Sequence, residues 1–177
     1  MNICVFCSAA DVDEKYVRAT RELGTLIGER GHDLVWGGSY KGLMKVIADS
    51  TKEKGGTLIG ISVEHFRQNA HQDADEMVFT KDLAERKQVL LERSDAFVGL
   101  VGGTGTLDEI AEMIELKKYE KHNKPIVFLN TDGFYDGIKS FYDRANVEGF
   151  LYFPIEQIVH FSDTPEDAMR YIESYGN

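Results

Sequence analysis

Short apolar runs alternate with amphipathic helical patterns along this chain of 177 residues, and the alternation constrains its fold more than any other feature. Connections this short between strands and helices are typical of a parallel sheet covered by helices. We therefore expect an α/β protein, a Rossmann-like doubly wound parallel sheet with helices on both faces, in which residues 1–177 form a single domain. The predicted strands are Asn2–Cys7, Asp33–Trp36, Thr57–Ser62, Met77–Phe79, Ala96–Val101, Pro125–Leu129 and Ile158–Phe161.

Helical patterns fill most of the intervals between these strands. Asp13 can cap the first predicted helix and Gly31 can end it, while Asp82 and Glu85 have the spacing of a capping box at the start of another. The predicted helices are Asp13–Arg30, a segment through Leu43 and Ala48, Asp82–Arg93, Thr106–Lys121, Tyr135–Asn146 and a terminal helix from Pro165.

The composition argues against several classes of protein. With 42% hydrophobic and 11% aromatic residues the chain can build a core, so we do not expect disorder. Its 20 basic and 30 acidic residues give a net charge of −10, whereas nucleic-acid-binding domains carry a basic excess. No run approaches the ~18 apolar residues of a membrane span, and no secretory signal pattern follows Met1. We expect a cytoplasmic protein that binds neither nucleic acid nor a membrane.

Cys4 and Cys7 have the C-x-x-C spacing of redox and zinc sites. Residues three apart in a strand point to opposite faces, however, and a zinc site would need a second pair of ligands, which does not follow. We interpret both cysteines as structural thiols, with a redox protein as the alternative. His65 and His71 lie near acidic residues, and we expect them in a solvated loop rather than around a metal. No metal site is predicted.

Ligands of such sheets bind outside the carboxyl ends of the strands, which directs attention to the loops Ser8–Asp11, Gly37–Lys41 and Gly102–Thr106. The third loop is the most distinctive, because three of its first four residues are glycine. Such a backbone can approach a ligand closely and turn its N–H groups inward, and the following helix adds unpaired N–H groups and the positive end of its dipole. The predicted anion site consists of Gly102, Gly103, Thr104, Gly105 and Thr106.

The class of anion follows from what this loop lacks. A dinucleotide fingerprint G-x-G-x-x-G starting at Gly103 would need a glycine where Asp108 stands, and it usually follows the first strand. The Gly-Lys-Ser/Thr of a Walker A loop does not occur in the sequence. The loop therefore suits a phosphate monoester better than a pyrophosphate or a nucleoside triphosphate.

Charged residues on two predicted helices can complete the site. Glu109 lies three residues past Thr106, where a carboxylate can hydrogen-bond ribose hydroxyls, orient water or stabilise positive charge at an anomeric carbon; an interaction with the helix dipole is the structural alternative. Arg86 and Lys87, on the preceding helix, can offset the phosphate charge or hold Glu109 ionised. An exposed pair of helical charges is the alternative for these two residues.

Together these motifs resemble the LOG (Lonely Guy) family, the cytokinin riboside 5′-monophosphate phosphoribohydrolases long labelled lysine decarboxylases. The resemblance extends over nearly the whole chain. The family's P-G-G-x-G-T-x-x-E motif is similar to Val101–Glu109, with valine in place of proline, and its M-x-x-R-K motif is similar to Leu83–Lys87, with leucine in place of methionine. Further similar segments are Cys7–Ala9, Gly37–Met44, Lys124–Ile126, Asn130, Gly133–Asp136 and Glu148–Phe150.

The resemblance implies hydrolysis of the N-glycosidic bond of a purine nucleoside 5′-monophosphate, with adenine or an N6-modified adenine as the base. It implies that Arg86 and Glu109 carry catalysis and that the glycine loop holds the 5′-phosphate. It also places Gly38 and Ser39 at the site, with Ser8 as a weaker member. It implies a homodimer that uses no metal or organic cofactor. A non-catalytic carrier of a nucleotide or of the molybdenum cofactor is the alternative.

Two departures from the family motifs lead to separate expectations. Proline before the glycines would fix φ and stiffen the loop, so with Val101 we expect a looser or differently pitched loop. Leu83 replaces a methionine that we expect in a wall of the base pocket, which leaves the preference between plain and N6-prenylated adenine open.

Overall fold

Within residues 1–176, the part of the chain that the structure describes, the computed structural model has one seven-stranded sheet. The strands are β1 (Asn2–Phe6), β2 (Asp33–Trp36), β3 (Leu58–Val63), β4 (Glu76–Thr80), β5 (Ala96–Gly99), β6 (Ile126–Leu129) and β7 (His160–Ser162). Their order is β4-β3-β2-β1-β5-β6-β7, and every neighbouring pair is parallel. The predicted parallel α/β sheet is confirmed.

The helices of the same stretch form a layer on each face of the sheet. They are α1 (Glu14–Glu29), α2 (Gly42–Glu53), α3 (Leu83–Arg93), α4 (Thr104–Lys118), α5 (Asp136–Val147) and α6 (Pro165–Ser174), with short 3-10 helices at Glu64–Asn69, Thr131–Gly133 and Ile155–Gln157. Side chains of α1, α2 and α6 pack into one hydrophobic cluster, and those of α3, α4 and α5 pack into or against a second. The sheet is therefore doubly wound, as predicted.

The two clusters meet the two faces of β1. Ile3 and Val5 belong to the cluster under α1 and α2, whereas Cys4 and Phe6 belong to the cluster under α3 and α4. Cys7 follows the end of β1 and packs on the face opposite Cys4, so the predicted separation of the two thiols is confirmed. Both thiols are free and buried, and burial raises the pKa of each well above its ordinary value.

Local capping signals fix several helix ends where the sequence predicts them. The Asp13 carboxylate accepts a hydrogen bond from the Lys15 amide at the start of α1, at 2.9 Å. At α3, Asp82 accepts from the Glu85 amide at 2.9 Å, while the Glu85 carboxylate accepts from the Lys81 amide at 2.8 Å. These contacts orient α3, which carries two of the predicted site residues.

The strand order places a crevice at the centre of the sheet. From β1 the chain winds outward to β2 on one side, and from β5 it winds outward to β6 on the other. The helices that follow β1 and β5 consequently lie on opposite faces, and their loops separate at the carboxyl ends of these two neighbouring strands. Ligands of doubly wound sheets bind at such a switch point. Residues 8 and 102 both follow strands that end here.

His71 departs from the sequence-based expectation. We expected it in a solvated loop, but its side chain is buried, with Nε2 3.0 Å from Asp49 Oδ1 and the ring edge-on to Trp36. Among the described residues, no group of three or more His, Cys, Asp or Glu side chains is arranged to hold a metal ion. None of the helices between residues 1 and 176 is long and apolar enough to cross a membrane.

Candidate active site

The glycine loop leads directly into the first turn of α4. Gly103 is the N-cap, and Leu107 makes the first amide hydrogen bond of the helix, to the Gly103 carbonyl at 3.1 Å. The amides of Thr104, Gly105 and Thr106 precede that bond, so they lack carbonyl partners within the helix. The prediction that this helix begins near Thr106 was wrong by two residues, since Thr104 and Gly105 already have helical backbone angles after the extended Gly103.

The space around the loop explains where its glycines are needed. A Cβ atom at Gly102 would lie 2.1 Å from Thr106 Oγ1, so the threonine side chain folds back over this glycine. At Gly103 and Gly105 a Cβ atom would meet no heavy atom within 4 Å. The loop is therefore supported from beneath by Thr106 and open above. Free amides at the positive end of a helix dipole can bind an anion, which is the chemistry predicted for this loop.

A buried ion pair lies beside this anion site. Arg86 Nη1 is 2.6 Å from Glu109 Oε1, and the two side chains are only 13% and 9% exposed. Arg86 Nε also donates a hydrogen bond to the Ile61 carbonyl of β3, at 2.8 Å. Gly37 leaves the space for the guanidinium, because a Cβ atom there would lie 2.8 Å from Arg86 Nη2. The guanidinium is thus fixed by a strand carbonyl and a carboxylate at once.

The ionisation of Glu109 reflects two opposing effects. Burial raises the pKa of the Glu109 carboxyl above its ordinary value, because a desolvated charge is costly. The positive charge and hydrogen bond of Arg86 act in the other direction and limit the rise. A carboxyl with a raised pKa in a cleft has the character of a group that accepts or positions protons.

These groups surround a cleft of about 310 Å³ at the carboxyl ends of β1 and β5. Of the predicted site residues, the cleft brings together Ser8, Arg86, Gly103, Thr104, Gly105, Thr106 and Glu109. The Ser8 hydroxyl also accepts a hydrogen bond from the Ala10 amide at 3.1 Å, which shapes the loop after β1. The cleft thus joins an anion site, a hydroxyl and a buried carboxylate.

Four predicted residues do not line the cleft. Gly102 supports the loop from behind, as described. Gly38 has a positive φ of 74° and accepts a hydrogen bond through its carbonyl from the His71 amide at 2.8 Å. The Ser39 hydroxyl accepts from the Lys41 amide at 3.3 Å. The Lys87 ammonium is paired with Asp108 and Glu112 of α4 instead of facing the cleft.

Three further lining residues lie in segments singled out from the sequence but were not predicted as site residues. Cys7, Ala9 and Met44 line the cleft, and Met44 ends a segment already matched to the LOG family motif. Gly42 allows α2 to approach the loop after β1, since a Cβ atom there would lie 2.4 Å from the backbone of Ala9 and Ala10. The glycine spacing was visible in the sequence, but the helix-to-loop contact that requires it was not.

The two departures from the family motifs lie outside the cleft lining. Val101 is buried in the core, and the adjacent Leu100 carbonyl accepts a hydrogen bond from the buried Tyr135 hydroxyl at 2.5 Å. This bond anchors the chain one residue before Val101. Leu83 is 56% exposed at the first position of α3 and contributes no side-chain surface to the cleft within one chain.

Comparison with known sequences identifies related proteins. The model of the family described as "Possible lysine decarboxylase" matches residues 44–172. The probable cytokinin riboside 5′-monophosphate phosphoribohydrolase LOGL2 of Oryza sativa subsp. japonica is 34% identical over 98% of this chain and 72% of its own length. The cytokinin riboside 5′-monophosphate phosphoribohydrolase of Mycobacterium tuberculosis is 32% identical over 95% of this chain and 91% of its own length. LOG3 of Arabidopsis thaliana is 34% identical over 98% of this chain and 82% of its own length.

Solved structures share the fold. The molybdenum cofactor binding protein of Rippkaea orientalis superposes with a TM-score of 0.77 at 24% identity, over 98% of this chain and 95% of that one. The Moco carrier protein of Chlamydomonas reinhardtii superposes with a TM-score of 0.75 at 24% identity, over 97% of this chain and 94% of that one. At this identity the similarity is one of fold. Because the family model covers most of the chain and the sequence relatives align over nearly all of it, this protein belongs to the LOG family, whose model is described as "Possible lysine decarboxylase".

Proposed function

We propose that this protein hydrolyses the N-glycosidic bond of a purine nucleoside 5′-monophosphate, in which the base is adenine or an N6-modified adenine. Water adds to C1′ of the ribose as the bond from C1′ to the base breaks, and the base leaves with a proton. The products are the free base and ribose 5-phosphate. The observation that carries the proposal is the buried Arg86–Glu109 pair beside the open amides of α4.

The open amides supply the anchor for the substrate. The first turn of α4 offers the amides of Thr104, Gly105 and Thr106 to a dianionic phosphate, which fixes the 5′ end of the ribose. Binding energy at this remote group holds the sugar in one orientation, so that its C1′ is presented to the other side of the cleft. Substrates without the phosphate should therefore lose turnover as well as affinity.

Glu109 supplies the group that the reaction needs at C1′. Cleavage develops positive charge on the ribose ring, and a carboxylate held nearby stabilises that charge most strongly in the transition state. The same carboxylate can position or deprotonate the attacking water. Arg86 would oppose the developing cation if it touched the ring. Its contact with Glu109 supports a role in holding the carboxylate ionised and oriented.

A carrier without turnover is the alternative. The superposed solved structures are named as molybdenum cofactor binding or carrier proteins. A carrier would use the anion site, but it has no need of a desolvated carboxylate paired with an arginine, and burying such a pair carries a cost in desolvation. The buried pair therefore favours the hydrolase.

The experiment is to incubate the purified protein with AMP and with N6-isopentenyl-AMP and to separate free base by chromatography. We expect base release from at least one of them, and a reduction of at least ~10²-fold in both Glu109→Gln and Arg86→Ala, the scale of positioned catalytic groups. Tight nucleotide binding without base release would support the carrier. Near-wild-type turnover by either variant would remove that residue from its role.

We also propose that the protein is a homodimer and acts in the cytoplasm. The dimer is supported by α5, none of whose residues is fully buried, and by the exposed aromatic side chains on and after this helix. Phe141 and Phe150 line one cavity at this surface, and exposed apolar patches mark sites of protein interaction. The proposed reaction has water as its only co-reactant.

A further inference from the structure

Lys87 is held by two ion pairs, and the proposed mechanism assigns it no role. Its Nζ lies 3.3 and 3.2 Å from the two carboxylate oxygens of Asp108 and forms a second, shorter ion pair with Glu112. The lysine side chain is only 15% exposed, although both partners are more open to solvent. The hydrogen bond to Glu112 raises the pKa of Lys87, so the ammonium stays charged.

These contacts run parallel to the Arg86–Glu109 pair. Arg86 and Lys87 are adjacent on α3, and their partners Glu109 and Asp108 are adjacent on α4. Glu112 lies one turn further along α4. The two helices are therefore joined by two neighbouring sets of ion pairs, of which one faces the cleft and the other lies outside it.

We propose that Lys87 is a positioning residue, which ties the first turns of α4 to α3 through Asp108 and Glu112 and so holds Glu109 against Arg86 as a carboxylate. It acts through α4 and does not touch the substrate. The kinetic part of this inference rests on the proposed function, whereas the ionisation of Glu109 can be measured whether or not the protein turns over a nucleotide.

The charges around Glu109 determine the direction of the expected effect. Arg86 and Lys87 face it from α3 and favour its charged form, while Asp108 on its own helix disfavours it. Burial, and then the charge of Glu109, raise the pKa of the Cys4 and Cys7 thiols, so both thiols stay neutral and add no charge near the carboxylate. Removing the lysine deletes a positive charge and leaves Asp108 unbalanced. Both changes raise the pKa of Glu109.

The test compares four variants by NMR titration of ¹³C-labelled glutamate carboxyls, with Glu109→Gln used to assign the signal. We expect Lys87→Met to raise the midpoint of the Glu109 titration by about 0.5 pH unit or more, Asp108→Asn to lower it, and Lys87→Arg to leave it near the wild-type value. Lys118→Met is the matched control, because it breaks a lysine–glutamate pair at the far end of the same helix. Unchanged midpoints in Lys87→Met and Asp108→Asn would overturn the inference.

Kinetics then connect the titration to the reaction. If Glu109 must be ionised, the acidic limb of the kcat/KM profile moves to higher pH in Lys87→Met and to lower pH in Asp108→Asn, in step with the NMR midpoints. If the acidic limb of the kcat/KM profile stays in place while the Glu109 midpoints move, the kinetic part of the inference is overturned. If the wild-type protein releases no base while the variants show the expected shifts in the Glu109 midpoint, the proposed function is refuted and the positioning role of Lys87 stands.

Discussion

At the scale of single residues, the position of Arg86 depends on the empty space at Gly37. A Cβ atom at residue 37 would lie 2.8 Å from Arg86 Nη2 and 3.0 Å from Met44 Cε. Both atoms are at the ends of flexible side chains, so they can move aside without disturbing the backbone. The cost of a methyl group here should consequently appear in catalysis rather than in stability.

We therefore predict that Gly37→Ala lowers base release by at least about 10-fold, since displacement of a catalytic group by 1 Å can cost ~10²-fold. The thermal unfolding midpoint should change by no more than a few degrees. Parallel assays of base release and unfolding on the variant and wild type make the comparison. Full activity with an alanine at residue 37 would show that Arg86 needs no such space.

Some residue roles could be predicted from the sequence and others could not. The spacing of Thr106 and Glu109 predicts a carboxylate in the first turn of the helix that follows the glycine loop. In the structure Glu109 is the sixth residue of α4, in its second turn, and it is paired there with Arg86. The predicted phosphate contact of Lys87 has no support in the structure. Adjacent residues on a helix point about 100° apart, and in the structure Arg86 lines the cleft while Lys87 pairs with Asp108 and Glu112 beside it. Which of them faces the cleft depends on how α3 packs, which no local pattern specifies.

At the scale of secondary-structure elements, the start of α4 is the critical boundary. Gly105 is the second residue of α4, and Gly137 is the second residue of α5. A Cβ atom at either position would have no other heavy atom within 4 Å. The two glycines therefore form a matched pair, of which only the first lies at the anion site.

We predict that Gly105→Ala and Gly137→Ala both keep or slightly raise the unfolding midpoint, since alanine is favoured over glycine in helices by up to ~1 kcal/mol. Only Gly105→Ala should raise KM for the nucleotide, because its methyl group occupies space beside the amides. Melting curves of both variants give the unfolding midpoints, and steady-state kinetics give KM for the nucleotide. An unchanged KM in Gly105→Ala would argue against phosphate binding at this turn.

Element boundaries were predicted best where a side chain caps the helix. Asp13 and Asp82 hold the starts of α1 and α3 as their sequence signatures indicate. The predicted start of the last strand, Ile158, was wrong by about two residues. Ile155–Gln157 forms a 3-10 helix, and β7 begins only at His160. Ile158 and Val159 are buried in the core, and an apolar pair of this kind does not reveal whether it lies within a strand or before one.

At the scale of the whole molecule, the unusual surface is that of α5 and the turn after it. Phe141, Phe150 and Tyr152 are 64%, 77% and 86% exposed, and a cavity of about 490 Å³ lies between Phe141, Arg144 and Phe150. A second copy of the chain would remove this surface from water, which is the main driving force of association.

We predict that the wild-type protein sediments as a dimer of its 20.0 kDa chain and that the double variant Phe141→Asp/Phe150→Asp sediments as a folded monomer. Phe66→Asp is the matched control, since Phe66 is also exposed but precedes β4 at the opposite edge of the sheet. Sedimentation velocity at micromolar concentration separates the cases. A wild-type monomer, or a double variant that remains dimeric, would be inconsistent with an interface at α5.

The overall architecture was the most predictable level, because the alternation of strands and helices and the length of their connections leave few other arrangements. The glycine loop also pointed to the edge of the sheet at which the structure has the cleft. The alternation does not show which surface a partner covers, since the exposed aromatic side chains follow the same helical pattern as buried ones.

The most direct measurement for the central claim is a crystal structure of Glu109→Gln bound to AMP. We predict that the phosphorus atom lies within about 4 Å of the amide nitrogens of Thr104, Gly105 and Thr106, and that C1′ of the ribose faces residue 109. A phosphate bound away from the first turn of α4, or a ribose turned away from residue 109, would contradict the account.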